Sequence, residues 1–410
     1  MLINDIPTPE SMCVQQVSSS LRKILEKVLN GRMISIHDGY ELIEAPSKSV
    51  PVICGVASQL RDRTKGQIVT YSRKVFIPLT TLCRDSCGYC TFAKPPDHPG
   101  ARTLNPDEVI AIARTGEKNG CKEALFSLGE RPELTHALAR KHLRQLGYET
   151  MLDYLHDMCK LVLNETTLVP HVNPGSLTHA EMHALRPVSP SMGMMLESSS
   201  VRLTERGGPH FGCPDKVPLV RLSTLRLAGE LHVPFTTGIL IGIGETRAER
   251  VESLFDIRRM HSDYGHIQEV IVQNFRAKAN TSMFGYTEPN VDEMVRTLAV
   301  ARIILGPEMN LQAPPNLMPS EYGRYLRAGI NDWGGVSPVT PDHINPEAAW
   351  PKIRELQSVS NSMGHILRER LSVYPDYLLD PVLWLDDNFQ NHFVDLVSSD
   401  GLIRETETVL

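Results

Sequence analysis

Three cysteines within eight residues form the densest set of soft ligands in the chain: Cys83, Cys87 and Cys90, in the run Thr80-Thr81-Leu82-Cys83-Arg84-Asp85-Ser86-Cys87-Gly88-Tyr89-Cys90. Thiols so close together can converge on one metal centre. A structural zinc site uses four ligands, usually as two separated pairs. Here Cys13, Cys54, Cys121, Cys159 and Cys213 are scattered singly, and no paired-histidine motif lies nearby. Three-point attachment leaves one metal position open for substrate, and a [4Fe-4S] cluster with one unligated iron fits that count. A closed zinc site with a distant fourth ligand, or unrelated core thiols, is the alternative that spacing alone leaves open.

The elements that must hold these thiols read as an alternation of strands and helices. The segment from Ser11 to Ala45 is helical in pattern, with Leu21, Ile24, Leu25 and Val28 on one face and Gly31 as a stop. From Lys74 onward short apolar strands alternate with amphipathic helices. Strands are predicted over 75–79, 123–127, 167–172, 192–196, 235–241, 269–275 and 310–313. Helices are predicted over 178–185, 214–231, 246–260 and 292–305, with a further one after Asn105, whose cap precedes Pro106, Asp107 and Glu108. Six or more such alternations imply an α/β fold with a parallel sheet, closed or partly closed into a barrel. Barrels of this kind place chemistry at the C-terminal ends of their strands. The expected division is a helical N-terminal extension over 1–68, a barrel core over 69–320 and a C-terminal region over 321–410 packed on the barrel, helical with proline breaks from Pro341 on.

The bulk numbers suit a small-molecule enzyme. The 410 residues are 41% hydrophobic and 22% charged, with a net charge of −6, which argues against broad binding of nucleic acid. The start, Met1 to Glu10, lacks a basic and apolar signal pattern. The apolar run free of charged side chains from Leu231 to Gly244 is too short and too Gly-rich to cross a membrane. The expected location is the cytoplasm, where cysteines serve as thiols, metal ligands or nucleophiles.

The spacing of three and then two residues, an aromatic before the last cysteine and the place after the first strand resemble the radical S-adenosylmethionine (SAM) superfamily. That resemblance implies a TIM-like barrel in which SAM chelates the open iron and later strand ends hold the rest of it. Ser127-Leu128-Gly129-Glu130 is similar to the motif that meets the SAM amino group, though such a tetrapeptide alone reads as a turn. Glu197 and Ser198, in Glu197-Ser198-Ser199-Ser200, follow the fourth strand where ribose hydroxyls would lie; a helix-capping loop is the plain alternative. Gly238, Gly242 and Glu245, in Gly238-Ile239-Leu240-Ile241-Gly242-Ile243-Gly244-Glu245, resemble the motif that packs on adenine. Tyr89 would add backbone contacts to adenine.

The local sequences go further. Phe76 to Thr80, Ser127 to Glu133, Met195 to Ser199, Thr236 to Thr246, Gln268 to Lys278, Gln312 to Leu317 and above all Gly329 to Pro346 resemble the 7,8-didemethyl-8-hydroxy-5-deazariboflavin (FO) synthase family of coenzyme F420 biosynthesis. The likeness runs from about Val75 to Leu402. It implies a ring-closing unit that takes a hydroxybenzyl adduct of ribitylamino-uracil, abstracts hydrogen with a 5′-deoxyadenosyl radical and expels ammonia. An external electron donor and a partner enzyme supplying the adduct are implied with it. Some members fuse a second radical SAM half; one triad and an end at Leu410 lead to the expectation of the single-activity form. A flat, polyhydroxylated substrate suits amides and acids at strand ends: Asn173, Gln273, Asn274, Gln312, Asn316, Asn331 and Asp332, each also an ordinary turn or cap residue. Arg276 and Lys278 are candidates for SAM or substrate. No general acid or base is assigned. The rival readings are the adduct-forming partner, a menaquinone-pathway relative, or a non-catalytic metal-binding protein.

Overall fold

The computed structural model describes residues 17–404. The stretch Met1 to Glu10, the first residues of the expected N-terminal helical segment and Cys13 lie outside them. Nine strands follow in order: β1 Ile68–Thr80, β2 Glu123–Leu128, β3 Val169–Asn173, β4 Ser191–Gly193, β5 Phe235–Ile241, β6 Ile267–Asn274, β7 Leu311–Gln312, β8 Asp332–Val336 and β9 Ile366–Glu369. β1 to β8 pair in sequence order, all parallel, and β8 returns to β1, which closes an eight-stranded barrel. Helices between strands cover the outside, as parallel crossovers require.

Local chemistry explains where those helices begin. Asn105, Thr178 and Thr246 each make reciprocal capping boxes, with Glu108, Glu181 and Glu249 respectively. Each box satisfies two backbone donors that the first helical turn leaves free. The helix Val291–Leu305 is buried along almost all its length. It fits between the helix Arg247–Tyr264 and the N-terminal helix Val50–Lys65, so the N-terminal helices share the barrel's main core. Arg61 completes that seam by donating from Nη1 to the carbonyls of Leu326 and Ile330, at 2.7 and 2.9 Å.

The stretch from Pro341 on differs from the helical expectation. Among its described residues helix is limited to Ile353–Ser362 and two single turns, Pro375–Leu378 and Pro381–Trp384, because each proline permits a helix to start but not to run through it. Between them, β9 pairs in parallel with residues 68–71 of β1. Thr70 is paired with Asp332 on one edge and Arg368 on the other, so β9 extends the edge that β2 occupies higher up. The segment after β9 then covers the barrel base with a small core of its own: Leu371, Val373, Tyr374, Tyr377, Phe389 and Phe393 pack with Val169 of β3.

Candidate active site

β1 delivers the chain into the loop that carries the three cysteines, and all three thiols line one cavity of about 250 Å3 at the C-terminal ends of the strands. Backbone bonds fix that loop. Gly129 N–H donates to Thr80 O at 2.9 Å, Arg84 N–H to Glu130 O at 2.8 Å, Gly88 N–H to Pro209 O at 2.8 Å and Met283 N–H to Gly88 O at 3.0 Å. A Cβ on Gly129 would lie 1.9 Å from the Leu82 carbonyl oxygen, so only glycine allows the β2 end to approach so closely. The next residue, Glu130, donates its N–H to Cys83 Sγ at 3.2 Å. Burial pushes the Cys83 thiol up to about 12, so it keeps its proton until a metal takes the proton's place. Cys213, isolated in the sequence, is buried beside Cys87.

A web of buried charges faces the thiols. Glu197 adopts a left-handed backbone (φ 65°) and turns its carboxylate inward. It accepts from Tyr89 Oη, from Lys216 Nζ at 2.7 Å, and lies 3.0 Å from His210 Nε2. Burial works against its charge, but Lys216 and His210 outweigh burial and hold the carboxyl well below the usual range. Burial and the Glu197 carboxylate in turn push Tyr89 well up. Glu130 pairs with Arg221 at 3.2 Å. Asp85, Glu130 and Asp215 bring carboxylate oxygens within 4.8 Å of one another. Burial, with Glu130 and Asp215 beside it, raises Asp85 to about 6, and Asp85 Oδ2 is buried with no hydrogen-bond partner among the described residues.

The structure brings Tyr89, Ser127, Gly129, Glu130, Asn173, Glu197, Gln273 and Arg276 to this cavity wall, together with Asn274 and Lys278. It places the others elsewhere. Asn331 and Asp332 stand at the start of β8, at the barrel base, where Asn331 Oδ1 accepts from Arg302 at 2.8 Å and Asp332 pairs with Arg370. The sequence pattern puts the Asn-Asp pair at or after a strand end, but it stands at the beginning of a strand, whose pattern the two glycines of Asp332–Val336 hide. Gln312 fills the space beside Gly334, where a Cβ would meet its side chain at 2.1 Å. Gly238 sits where a Cβ would lie 2.1 Å from Ile271 O, so it serves the contact of β5 with β6. Glu245 accepts from the N–H groups of Gly242 and Ile243 at 2.7 and 2.8 Å and pairs with Arg250; it shapes the turn after β5 and, like Gly242, is not on the wall. Ser198 accepts from Ser200 N–H at 3.1 Å in its own loop.

Sequence reasoning missed Lys216, Arg221 and His210. Arg221 carried a signal: it shares a helix face with the buried Leu225 and Ala228, and a cation on an apolar face marks a partner inside the fold.

A model of the radical SAM superfamily matches residues 77–257. The chain is 46% identical over 409 residues to an FO synthase of Mycobacterium leprae, covering 96% of this chain and 47% of that protein. It is 51% identical over 337 residues to the 7,8-didemethyl-8-hydroxy-5-deazariboflavin synthase of Methanopyrus kandleri, covering 82% of this chain and 100% of that one. The chain belongs to the FO synthase family of the radical SAM superfamily. It spans about half the length of the mycobacterial relative. Solved structures share the fold: methylornithine synthase PylB (TM-score 0.66, 18% identity, 84% of this chain and 97% of that one) and the FeFe-hydrogenase maturase HydG of Carboxydothermus hydrogenoformans (TM-score 0.68, 17% identity, 91% and 87%). Among the described residues no helix is long and apolar enough to cross a membrane.

The residues present fit the groups this family implies. Three thiols share one wall for a cluster. Lys216 and Arg221 offer buried cations for a carboxylate, Asp85 an unpartnered oxygen for an ammonium group, and Glu197 an acceptor for hydroxyls.

Proposed function

We propose that the chain is the ring-closing radical SAM enzyme that converts the 5-amino-5-(4-hydroxybenzyl)-6-(ribitylimino)-dihydrouracil adduct to FO with loss of ammonia, a carbon–nitrogen lyase step. The observation that carries the reading is the convergence of Cys83, Cys87 and Cys90 on a cavity that also holds Glu197, Asn173 and Gln273. The similarity across the whole M. kandleri synthase supports it.

When bound, the [4Fe-4S] cluster and SAM supply a 5′-deoxyadenosyl radical that removes one hydrogen atom from the substrate. The chain's own residues do the rest. Cys83, Cys87 and Cys90 hold the cluster; Glu130, Glu197, Lys216 and Arg221 orient SAM against it. Asn173 and Gln273 offer amide donors and acceptors to the uracil or ribityl group. Leu240 and Ile271 on the wall exclude water from the reacting faces, so the adduct is held in one near-attack arrangement. The same reading has the enzyme in the cytoplasm, drawing electrons from an external donor and the adduct from a partner enzyme.

Anaerobic turnover with SAM, a reductant and the adduct, read by mass spectrometry, tests this. FO, ammonia, methionine and 5′-deoxyadenosine are the expected products. FO from free tyrosine and diaminouracil alone, or none from the adduct, sinks the reading.

A further inference from the structure

The cavity floor carries a hydroxyl wired to a buried acid. Thr236 lies on β5 opposite Gly193 of β4, and both line the cavity; with no side chain on Gly193, the Asn173 amide oxygen reaches in to within 2.3 Å of where a Cβ would stand. Thr236 Oγ1 donates to Glu269 Oε2 at 3.1 Å and accepts from Gln268 Nε2 at 3.2 Å. A hydroxyl has one donor and two lone pairs, so one acceptor position is left for a ligand. Glu269 is 6% exposed, and Arg370 Nη2 lies 3.2 Å from its other oxygen. Beyond that, Arg370 holds Asp332.

We infer that Thr236 and Glu269 form the proton acceptor of the ring-closing step, Thr236 taking the proton from the substrate while passing its own to Glu269. The inference rests on the proposed reaction, whose balance releases a proton that such a group can take. Going from adduct to FO the substrate loses ammonia and two hydrogens. One leaves as an atom to the 5′-deoxyadenosyl radical. The other leaves as a proton and an electron, which the cluster would take up when bound. A group on the cavity floor can take that proton from the substrate and hand it on to the departing ammonia. The bond broken is the substrate's bond to that hydrogen; the bonds formed are Thr236 O–H and, one step on, Glu269 O–H.

The surroundings of Glu269 suit a base. Burial raises its carboxyl, Arg370 opposes that and Asp332 adds to it, with Lys74 and Tyr374 as the other groups that face it. The net direction is upward, which makes the carboxylate more basic, while Arg370 keeps a charged form possible in the barrel interior.

Thr236→Val keeps shape and removes the relay; Thr236→Ser keeps the relay. With SAM, dithionite and the adduct, Thr236→Val is expected to form 5′-deoxyadenosine at near the wild-type rate but FO about a hundredfold more slowly, in the range general base catalysis supplies. Thr236→Ser is expected to recover most of the FO rate, which a purely structural defect would not predict. Glu269→Gln, if it folds, is expected to match Thr236→Val. Wild-type FO formation with an equally active Thr236→Val overturns the inference alone. A wild-type enzyme that cleaves SAM yet makes no FO overturns the proposed reaction, and the inference falls with it.

Discussion

Arg370 crosses the barrel base to place its guanidinium on both carboxylate oxygens of Asp332, with Nε 2.6 Å from Oδ2 and Nη2 2.7 Å from Oδ1. The side chains are 1% and 0% exposed, and Thr70 Oγ1 donates to the same carboxylate. The segment after β9 thereby supplies a counter-charge that Asp332 and Glu269 share. Arg370→Met would leave two buried acids facing each other. Breaking a buried pair by removing one partner costs about 3–5 kcal/mol, so the urea midpoint should fall sharply. An unchanged midpoint would show that the base tolerates the loss.

The cysteine triad gives a sharper contrast. Cys83→Ala, Cys87→Ala or Cys90→Ala should each abolish iron loading and SAM cleavage. Cys213→Ala should keep its iron, even though Cys213 lies beside Cys87, because three thiols and an open iron site define the reading. Iron and sulfide content on anaerobically purified protein decides. A brown wild type against a colourless Cys213→Ala would instead point to a four-thiol centre.

Glu197→Ala should weaken SAM binding while the cluster spectrum stays intact. Loss of one charged hydrogen-bonding group costs on the order of 1–3 kcal/mol, roughly ten- to a hundredfold in affinity. Because Lys216 and His210 hold the carboxyl well below its ordinary 4.5, Glu197 is ionised from pH 6 to 8 and contributes no pH dependence there. Its stabilising effect is fully present above about 4.5 and is lost as pH falls through the lower folded value. Isothermal titration at several pH values checks both points; an unchanged affinity in Glu197→Ala would make it a loop residue only.

Much of this was legible in the sequence because the signals are local. The Asn105, Thr178 and Thr246 helix starts follow from caps, and the Phe235–Ile241 strand from an apolar run between turn residues. What escaped is non-local. β8 is absent from the strands the pattern predicts, since Asp-Trp-Gly-Gly-Val has no alternation, and only the closing of the barrel makes it a strand. Asn331 and Asp332 therefore seemed to stand at a strand's chemical end when they stand at its opposite end. Lys216 and Arg221 were hidden inside a predicted helix, because a buried cation gains meaning only from the carboxylate that another strand brings to it.

The last prediction separates the loop's shape from its ligands. Gly129 follows β2 with its backbone against the loop of β1: a Cβ there would come 1.9 Å from Leu82 O and 2.8 Å from Cys83 Cβ. Real atoms cannot sit so near, so Gly129→Ala must push β2's end away from Cys83. That shift also draws the Glu130 N–H off Cys83 Sγ, where it now donates at 3.2 Å. Iron loading should drop several-fold although all three cysteines remain. The barrel should still fold, because the clash lies beyond β2's last paired residue, Leu128. Iron content and far-ultraviolet circular dichroism measured on the same preparation test this. Full iron in a folded Gly129→Ala would mean that the cysteine loop adjusts freely and that the β2 end does not position it.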